Sequence, residues 1–409
     1  MKSTRIFLFL LIFSVISYLI IFQTIDYKEP EVSGWERERS RNVCNYISNN
    51  ENSALKPVDF CSKLELNPFL LIFVTSDIKN FKRRKIIRET WGNSTRFGYE
   101  NFLKMHGSKI YLDISESWKN ELKHRKITFK TIFILGKSSS DYSKHIQNKV
   151  IREEKIHQDV LQEDFIENYR NLTLKTLTML KWGSKSCLSD SVKFYIKTDD
   201  DIFLNVPNLI HTLIGGTIPA YSSLKYFYND RTIDVLNTKN RIEMKKGLLM
   251  GDLWYLTPVL RNPSLKHYTP RYLYENFFFP PFLSGYIFIM SPDIAEMLYD
   301  AAMKTPLIHL EDVFVTGILA EKSNITRKRH HLFSFKRLPD LCGLKGILAE
   351  NGRDPNEFYE AIDFVLDESV KCQGLNGMFV KFLYKVIFKV FEPWISIWNN
   401  YKYWLPPKM

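Results

Sequence analysis

No glycine-rich nucleotide loop of the form G-x-G-x-x-G or G-x-x-x-x-G-K-[ST] occurs in the 409 residues, and H-E-x-x-H and G-x-S-x-G are absent as well. These absences remove the dinucleotide, P-loop, zincin and nucleophile-elbow readings. No zinc-finger or RNP pattern interrupts the chain and no Lys/Arg run exceeds a few residues, so the net charge of +12 does not read as a nucleic-acid binder's. An anionic membrane surface and phosphorylated or acidic ligands remain as partners for that charge. There is no internal repeat and no low-complexity tract. Cysteine is sparse: Cys44, Cys61, Cys187, Cys342 and Cys372 allow two disulfides in an oxidising compartment. The fifth is then a buried free thiol or a link between two chains. What is present is ordinary for a globular protein with a sizeable core, at 45% hydrophobic and 25% charged residues. The 30 Phe and 21 Tyr suit a core and equally suit stacking sites.

The N-terminus carries an address. Residues 6–22 (IFLFLLIFSVISYLIIF) are uncharged and at the short end of a bilayer span. Lys2 and Arg5 precede them, while Asp26, Lys28, Glu29 and Glu31 follow, which leaves residues 1–5 cytosolic and the body across the membrane. A cleaved signal peptide would have a shorter apolar core and a small-x-small site, which Phe22-Gln23-Thr24 does not supply. Three sequons, at Asn93, Asn171 and Asn324, fit a lumenal body. Residues 23–66 are polar with little periodicity and read as a stem.

Strand and helix signals then alternate. Residues 69–75 and 129–135 read as strands, with a basic helix ending near Trp91 between them and a further helix from Ile151 onward. Residues 171–182 read as a helix, 192–196 as a strand and 286–290 as another, with a helix from Pro292. That order predicts an α/β fold with a mostly parallel sheet. The third strand runs into Asp199-Asp200-Asp201. Three adjacent carboxylates repel unless a cation neutralises them, and the carboxyl end of a strand is where open α/β sheets bind ligands. Oxygen ligands there suit Mg²⁺ or Mn²⁺, which can also bridge a diphosphate. The plain alternative is a solvated acidic turn capping the next helix.

Five pieces, in order over roughly residues 67–372, resemble the β-1,3-galactosyltransferase family, glycosyltransferase family 31. They are Arg84-x-x-Ile87-Arg88-x-Thr90-Trp91-Gly92; Asp164-Phe165-x-x-x-Tyr169-x-Asn171-Leu172-Thr173-Leu174-Lys175-Thr176; Lys197-Thr198-Asp199-Asp200-Asp201; Pro280-Pro281-Phe282-x-Ser284-Gly285; and Glu311-Asp312-Val313-x-x-x-Gly317. The resemblance implies a GT-A-type, Rossmann-like nucleotide-sugar-binding sheet, a UDP-sugar donor, Mn²⁺ (or Mg²⁺), a glycan acceptor on protein or lipid, inversion at the anomeric carbon, and a single-pass type II place in the Golgi membrane. Asp199 and Asp201 are then the metal-binding pair, and Asp312 the base that takes the acceptor hydroxyl's proton. Arg84, Arg88, Asp199, Asp200 and Lys175 fall on the donor side, and Pro281, Ser284, Gly285 and Glu311 on the sugar pocket. The bland readings are a basic solvated face for the arginines, a structural role for Lys175 and an acidic first helical turn for Glu311-Asp312. Two departures stand out. Leu283 replaces the family's Cys, and Asn351 stands where the family has a metal-binding His. The second supports an alternative: a lumenal glycan- or nucleotide-sugar-binding homologue without turnover.

The tail beyond the match, 373–409, carries an amphipathic stretch from Met378 to Phe391 with Lys381, Lys385 and Lys389 on one stripe and Trp and Tyr following. It suits a membrane interface and equally suits packing on the catalytic domain or on a second copy.

Overall fold

The computed structural model describes residues 14, 29–47, 55–56, 68–106, 114–122, 127–138, 143–184, 192–219, 221, 242–338, 340–370 and 372. The expected span 6–22 apart from Ser14, the tail stretch 378–391, Cys61 and Cys187 lie outside them. Among the described residues no helix is long and apolar enough to cross a membrane.

The chain divides into two compact units, Met1–Ser40 with Pro258–Phe278, and Arg41–Thr257 with Phe279–Met409. The larger holds a mixed sheet in the order β3-β2-β1-β4-β7-β6-β8. Its strands are β1 (Leu70–Thr75), β2 (Phe129–Lys137), β3 (Val160–Ile166), β4 (Phe194–Asp199), β6 (Leu249–Trp254), β7 (Phe282–Met290) and β8 (Lys328–Arg329). β3, β2, β1 and β4 run parallel, and β7 then reverses against both β4 and β6. β1 is buried at every position, as expected of a parallel strand covered on both faces. Between the strands come α1 (Phe81–Glu89), α2 (Ser143–His157), α3 (Leu172–Gly183) and α4 (Pro292–Ala302). α3 is buried from Thr173 to Gly183, its Lys175 and Lys181 paired with Glu167 and Glu163, and it forms the centre of one layer. A three-stranded sheet, β5 (Ile202–Leu204), β10 (Ala349–Asn351) and β9 (Phe333–Ser334), folds the C-terminal part back to the acidic turn. A Cys342–Cys372 disulfide closes that part, and Cys44 is an exposed free thiol.

In the smaller unit, Val32 and Trp35 of the expected stem are buried. The Tyr272 hydroxyl accepts from Val32 N at 2.9 Å and donates to Trp35 O at 2.8 Å. Tyr268 donates to Pro30 O at 2.9 Å. Arg261 donates to four carbonyls, those of Thr269, Tyr274, Glu275 and Asn276, and so pins the 258–278 segment to itself.

Candidate functional site

Parallel pairing sets Thr75 opposite Asp199, so the ends of β1 and β4 present their following turns side by side. The Thr75 hydroxyl donates to Asp199 Oδ1. Asp200 turns inward and is 5% exposed. It accepts from Ser76 Oγ at 2.7 Å, Asn80 Nδ2 at 2.8 Å and Arg83 Nη1 at 2.8 Å. Asp201 points outward, its side chain 49% exposed, with Arg83 Nη1 at 3.7 Å. Partial burial, then the charges of Asp199 and Asp200, push the Asp201 carboxyl above its ordinary pKa, against the pull of Arg83. The turn thus buries Asp200 and leaves Asp199 and Asp201 partly exposed.

Lys197 joins this turn to the Glu311-Asp312 pair. Its side chain is 1% exposed, with Nζ 2.8 Å from Asp199 Oδ1 and 3.5 Å from Glu311 Oε2, and it donates to Gly285 O. Burial pulls its pKa down, but Asp199 and Glu311 more than reverse that, so the ammonium stays charged. Glu311 is buried and accepts from Thr176 Oγ1 at 2.8 Å. Burial, partly offset by Lys197 and reinforced by Asp312 and Asp199, raises its carboxyl to about 7. Asp312 is half-buried and N-caps the π-helical stretch Val313–Leu319, its Oδ1 accepting from Val313 N at 2.9 Å. Opposite it, β7 leaves register with β6 between Gly251↔Phe288 and Leu253↔Leu283. The bulged Ser284–Ile287 segment brings Gly285 against the acidic pair. A Cβ on Gly285 would lie 2.7 Å from Glu311 Oε2 and 3.3 Å from Asp312 Cβ, so only glycine permits that approach. Ser284 is buried in the same bulge and Pro281 is half-buried just before β7.

Three expected ligand-facing residues are structural in this arrangement. Arg84 is fully buried, and its five N–H groups go to Glu153, Ser76 Oγ, Asp77 O and Ile78 O, which is every donor a guanidinium has. Arg88 is paired with Asp159 and Glu153 at 2.7 Å each. Lys175, 2% exposed, bridges Glu167 and Ser76 O at 2.6 Å each. Arg84 and Lys175 hold the 76–78 loop, and through Ser76 they hold Asp200, while Arg88 ties down Glu153. Glu311 likewise serves from the interior rather than lining an open pocket. Asn171 also departs from expectation: it is 8% exposed and its Nδ2, the atom a glycan would occupy, donates to Ile166 O at 2.9 Å. A glycan on Asn171 would therefore require that side chain to swing out of its place in the folded domain.

Asn351 does come to the acidic turn. β10 pairs antiparallel with β5 so that Asn351 faces Ile202, the residue after Asp201. Its neighbour Glu350 points the other way, fully buried and bound by Arg353 and Leu338 N. Among the described residues no group of three or more His, Cys, Asp or Glu side chains is arranged to hold a metal ion. Two carboxylates and an amide are hard oxygen donors, a set that fits a cation which keeps positions for water and phosphate oxygens. His330 is buried, its pKa lowered to about 3 by burial and then by His331.

The galactosyltransferase family model matches residues 113–331. Beta-1,3-galactosyltransferase 1 of Homo sapiens is 31% identical over 300 residues, 73% of this chain and 74% of that protein. The chain belongs to the galactosyltransferase family. Beta-1,3-galactosyltransferase 4 of Mus musculus is 30% identical over 317 residues, covering 76% of this chain and 74% of its own. Lactosylceramide 1,3-N-acetyl-beta-D-glucosaminyltransferase of Mus musculus is 25% identical over 344 residues, 81% and 78% of the two chains. This galactosyltransferase-family protein is therefore a glycosyltransferase, and Asp199–Asp201, Gly285, Glu311 and Asp312 all lie inside the matched region. Sequence reasoning missed two members of its site. Arg83, which reaches Asp200 and Asp201, sits one residue before Arg84; the i, i+3, i+4, i+7 spacing of Arg84, Ile87, Arg88 and Trp91 is the signal that could have put those two arginines on the buried stripe. Lys197 was quoted as part of a motif, but its link to Glu311 is long-range and left no local signal.

Proposed function

We propose that this protein transfers a hexose, galactose foremost, from a UDP-sugar to a hydroxyl of a glycan acceptor in β-1,3 linkage with inversion. We place that activity in the Golgi lumen, with residues 6–22 as the membrane anchor. The observation that carries this reading is the convergence of the acidic turn and the Glu311-Asp312 pair on the two sides of Lys197. One end suits a diphosphate with its cation, the other a proton acceptor.

Asp199, Asp201 and Asn351 are the residues that would hold Mn²⁺ (or Mg²⁺), which when bound supplies Lewis-acid stabilisation of the charge on departing UDP. Arg83 adds positive charge at the same turn. Asp312 takes the proton of the acceptor hydroxyl as that oxygen bonds to the anomeric carbon; the bond to the diphosphate oxygen breaks, and UDP leaves with the electron pair. Its Val313 N–H contact orients the carboxylate, and Gly285, having no side chain, lets the β7 backbone approach it closely. The relatives' names favour galactose over N-acetylglucosamine as the sugar moved.

A second reading, a lumenal binding homologue without turnover, draws on Asn351 alone, since an amide is a weaker metal ligand than imidazole. Release of UDP from UDP-galactose, UDP-N-acetylglucosamine and UDP-N-acetylgalactosamine, with and without acceptor and Mn²⁺, separates the two. Acceptor-stimulated, Mn²⁺-dependent release is expected. Asp312→Asn should keep donor affinity and lower turnover by roughly 10²-fold or more. An equal loss of donor affinity in that variant would make Asp312 a binding residue.

A further inference from the structure

The bulge in β7 has a second side. Where Ser284–Ile287 arches away, β6 presents Asp252 and then Trp254, both half-buried. Trp254 Nε1 donates to Asp252 Oδ2 at 3.1 Å. The indole lies nearly parallel to Phe282, with centroids 6.4 Å apart, and meets the Phe335 ring edge-on at 5.7 Å. Phe335 is 37% exposed and also meets Tyr286 edge-on at 5.7 Å. Tyr286 is 5% exposed, and its hydroxyl is buried without a hydrogen-bond partner among the described residues. Leaving such a hydroxyl unpaired is unfavourable. Burial, then the Asp252 charge, keep it protonated and able to donate. Burial likewise raises Asp252, against the Trp254 hydrogen bond and the charge of Arg329. Tyr286 directly follows Gly285, the residue packed on Asp312.

Aromatic rings, a carboxylate and an orphan hydroxyl together select a narrow class of ligand. An aliphatic chain would cover the rings but leave Asp252 and Tyr286 unpaired, at the cost of desolvating both. A phosphate would meet the Asp252 charge. A pyranose offers an apolar C–H face to the rings and hydroxyls at its edge. We propose that Trp254, Phe335, Tyr286 and Asp252 form the subsite that holds the acceptor sugar, its ring laid on the aromatic faces and its hydroxyls bonded to Asp252 and Tyr286. The proposal rests on the transferase reading, because the subsite takes its direction from Asp312.

Two measurements on the full-length protein keep the two readings apart. In turnover, with UDP-galactose as donor and methyl β-N-acetylglucosaminide or methyl β-galactoside as acceptor, Trp254→Ala and Phe335→Ala should raise acceptor KM about tenfold, or 1.4 kcal/mol. Donor KM should stay within about twofold, and Trp254→Phe should recover much of the loss. Tyr286→Phe, which removes only the hydroxyl, should raise acceptor KM several-fold. A rise in donor KM with acceptor KM unchanged would overturn the assignment. Saturation-transfer NMR with the same two methyl glycosides reads the subsite without any reaction. The sugar signal should be present in the parent and lost in Phe335→Ala, while UDP binding persists. A parent that gives no sugar signal, or a folded Phe335→Ala that keeps it, sinks the proposal even where no transfer is seen. An absence of turnover beside intact sugar binding would count against the transferase reading alone.

Discussion

Three consecutive carboxylates serve different purposes because the backbone turn aims each one elsewhere. Asp200 is buried under Ser76, Asn80 and Arg83, so it fastens the turn to the loop after β1. Asp201 is half exposed and Asp199 one third exposed, and these two are the pair proposed above to hold the cation. Asp201→Ala should therefore abolish Mn²⁺-dependent transfer while leaving the urea midpoint within error of the parent. Asp200→Ala should instead lower stability by about 2–4 kcal/mol, since it strands buried donors. If the two variants lose stability equally, the division of labour is wrong. A different residue carries a pH signature. Glu154 is 4% exposed, accepts from Val160 N at 2.6 Å, and is raised by burial from 4.5 to about 7. Between those values the folded chain keeps a proton that the unfolded chain has lost. The contribution is thus full below about 4.5 and disappears as pH rises through 7. Glu154→Gln cannot ionise, so its urea midpoint relative to the parent should move upward from pH 5 to pH 8. A gap that does not change with pH would show that Glu154 titrates normally.

Among the elements, the bulge in β7 does the most for the site, since it sends Gly285 to Asp312 on one side and opens toward Asp252 on the other. Gly285→Ala places a methyl against Glu311 and Asp312. The expected result is a drop in kcat of at least tenfold, little change in donor KM, and destabilisation of about 1–3 kcal/mol from overpacking. Unchanged kcat would mean that Asp312 tolerates displacement and is not the base. The bulge also shows where sequence reading stops. β1, β2, β4 and α3 were legible because their apolar runs and 3.6-residue spacing are local properties. β3 was not. Its Gln162 and Glu163 look exposed on paper, yet both are buried, with Gln162 bound to Gln147 and Gly136 O and Glu163 to Lys181. Partners 15 to 26 residues away made those polar side chains compatible with a strand interior. β6 and the small β5-β10-β9 sheet were missed for a similar reason: their pairing joins segments far apart in the chain. The acidic turn and Asp312 could be named as candidates from their motifs, but their meeting at Lys197 belongs to tertiary structure alone.

For the whole molecule, burial sorts the three sequons. Asn324 is exposed and Asn93 half-exposed, whereas Asn171 is buried with its Nδ2 donating to Ile166 O. Protein made in a secretory cell should carry at most two N-glycans, and Asn171→Gln should leave the glycan mass unchanged while Asn93→Gln and Asn324→Gln each reduce it. A protein with no glycan at all would count against the lumenal placement. The clasp between residues 29–40 and 258–278 has a practical consequence for anyone shortening the chain. The run Glu36-Arg37-Glu38-Arg39 resembles a disposable, protease-ready tether, but Arg37 lies over the Tyr272 ring at 4.6 Å and Arg39 over Trp35 at 4.4 Å. A cut ahead of Glu29 would leave the pairing of 29–40 with 258–278 intact. A cut only a dozen residues later would leave Tyr268 and Tyr272 without the backbone groups they bind, so the permissible place to shorten the chain is narrow and lies upstream of where composition alone would put it.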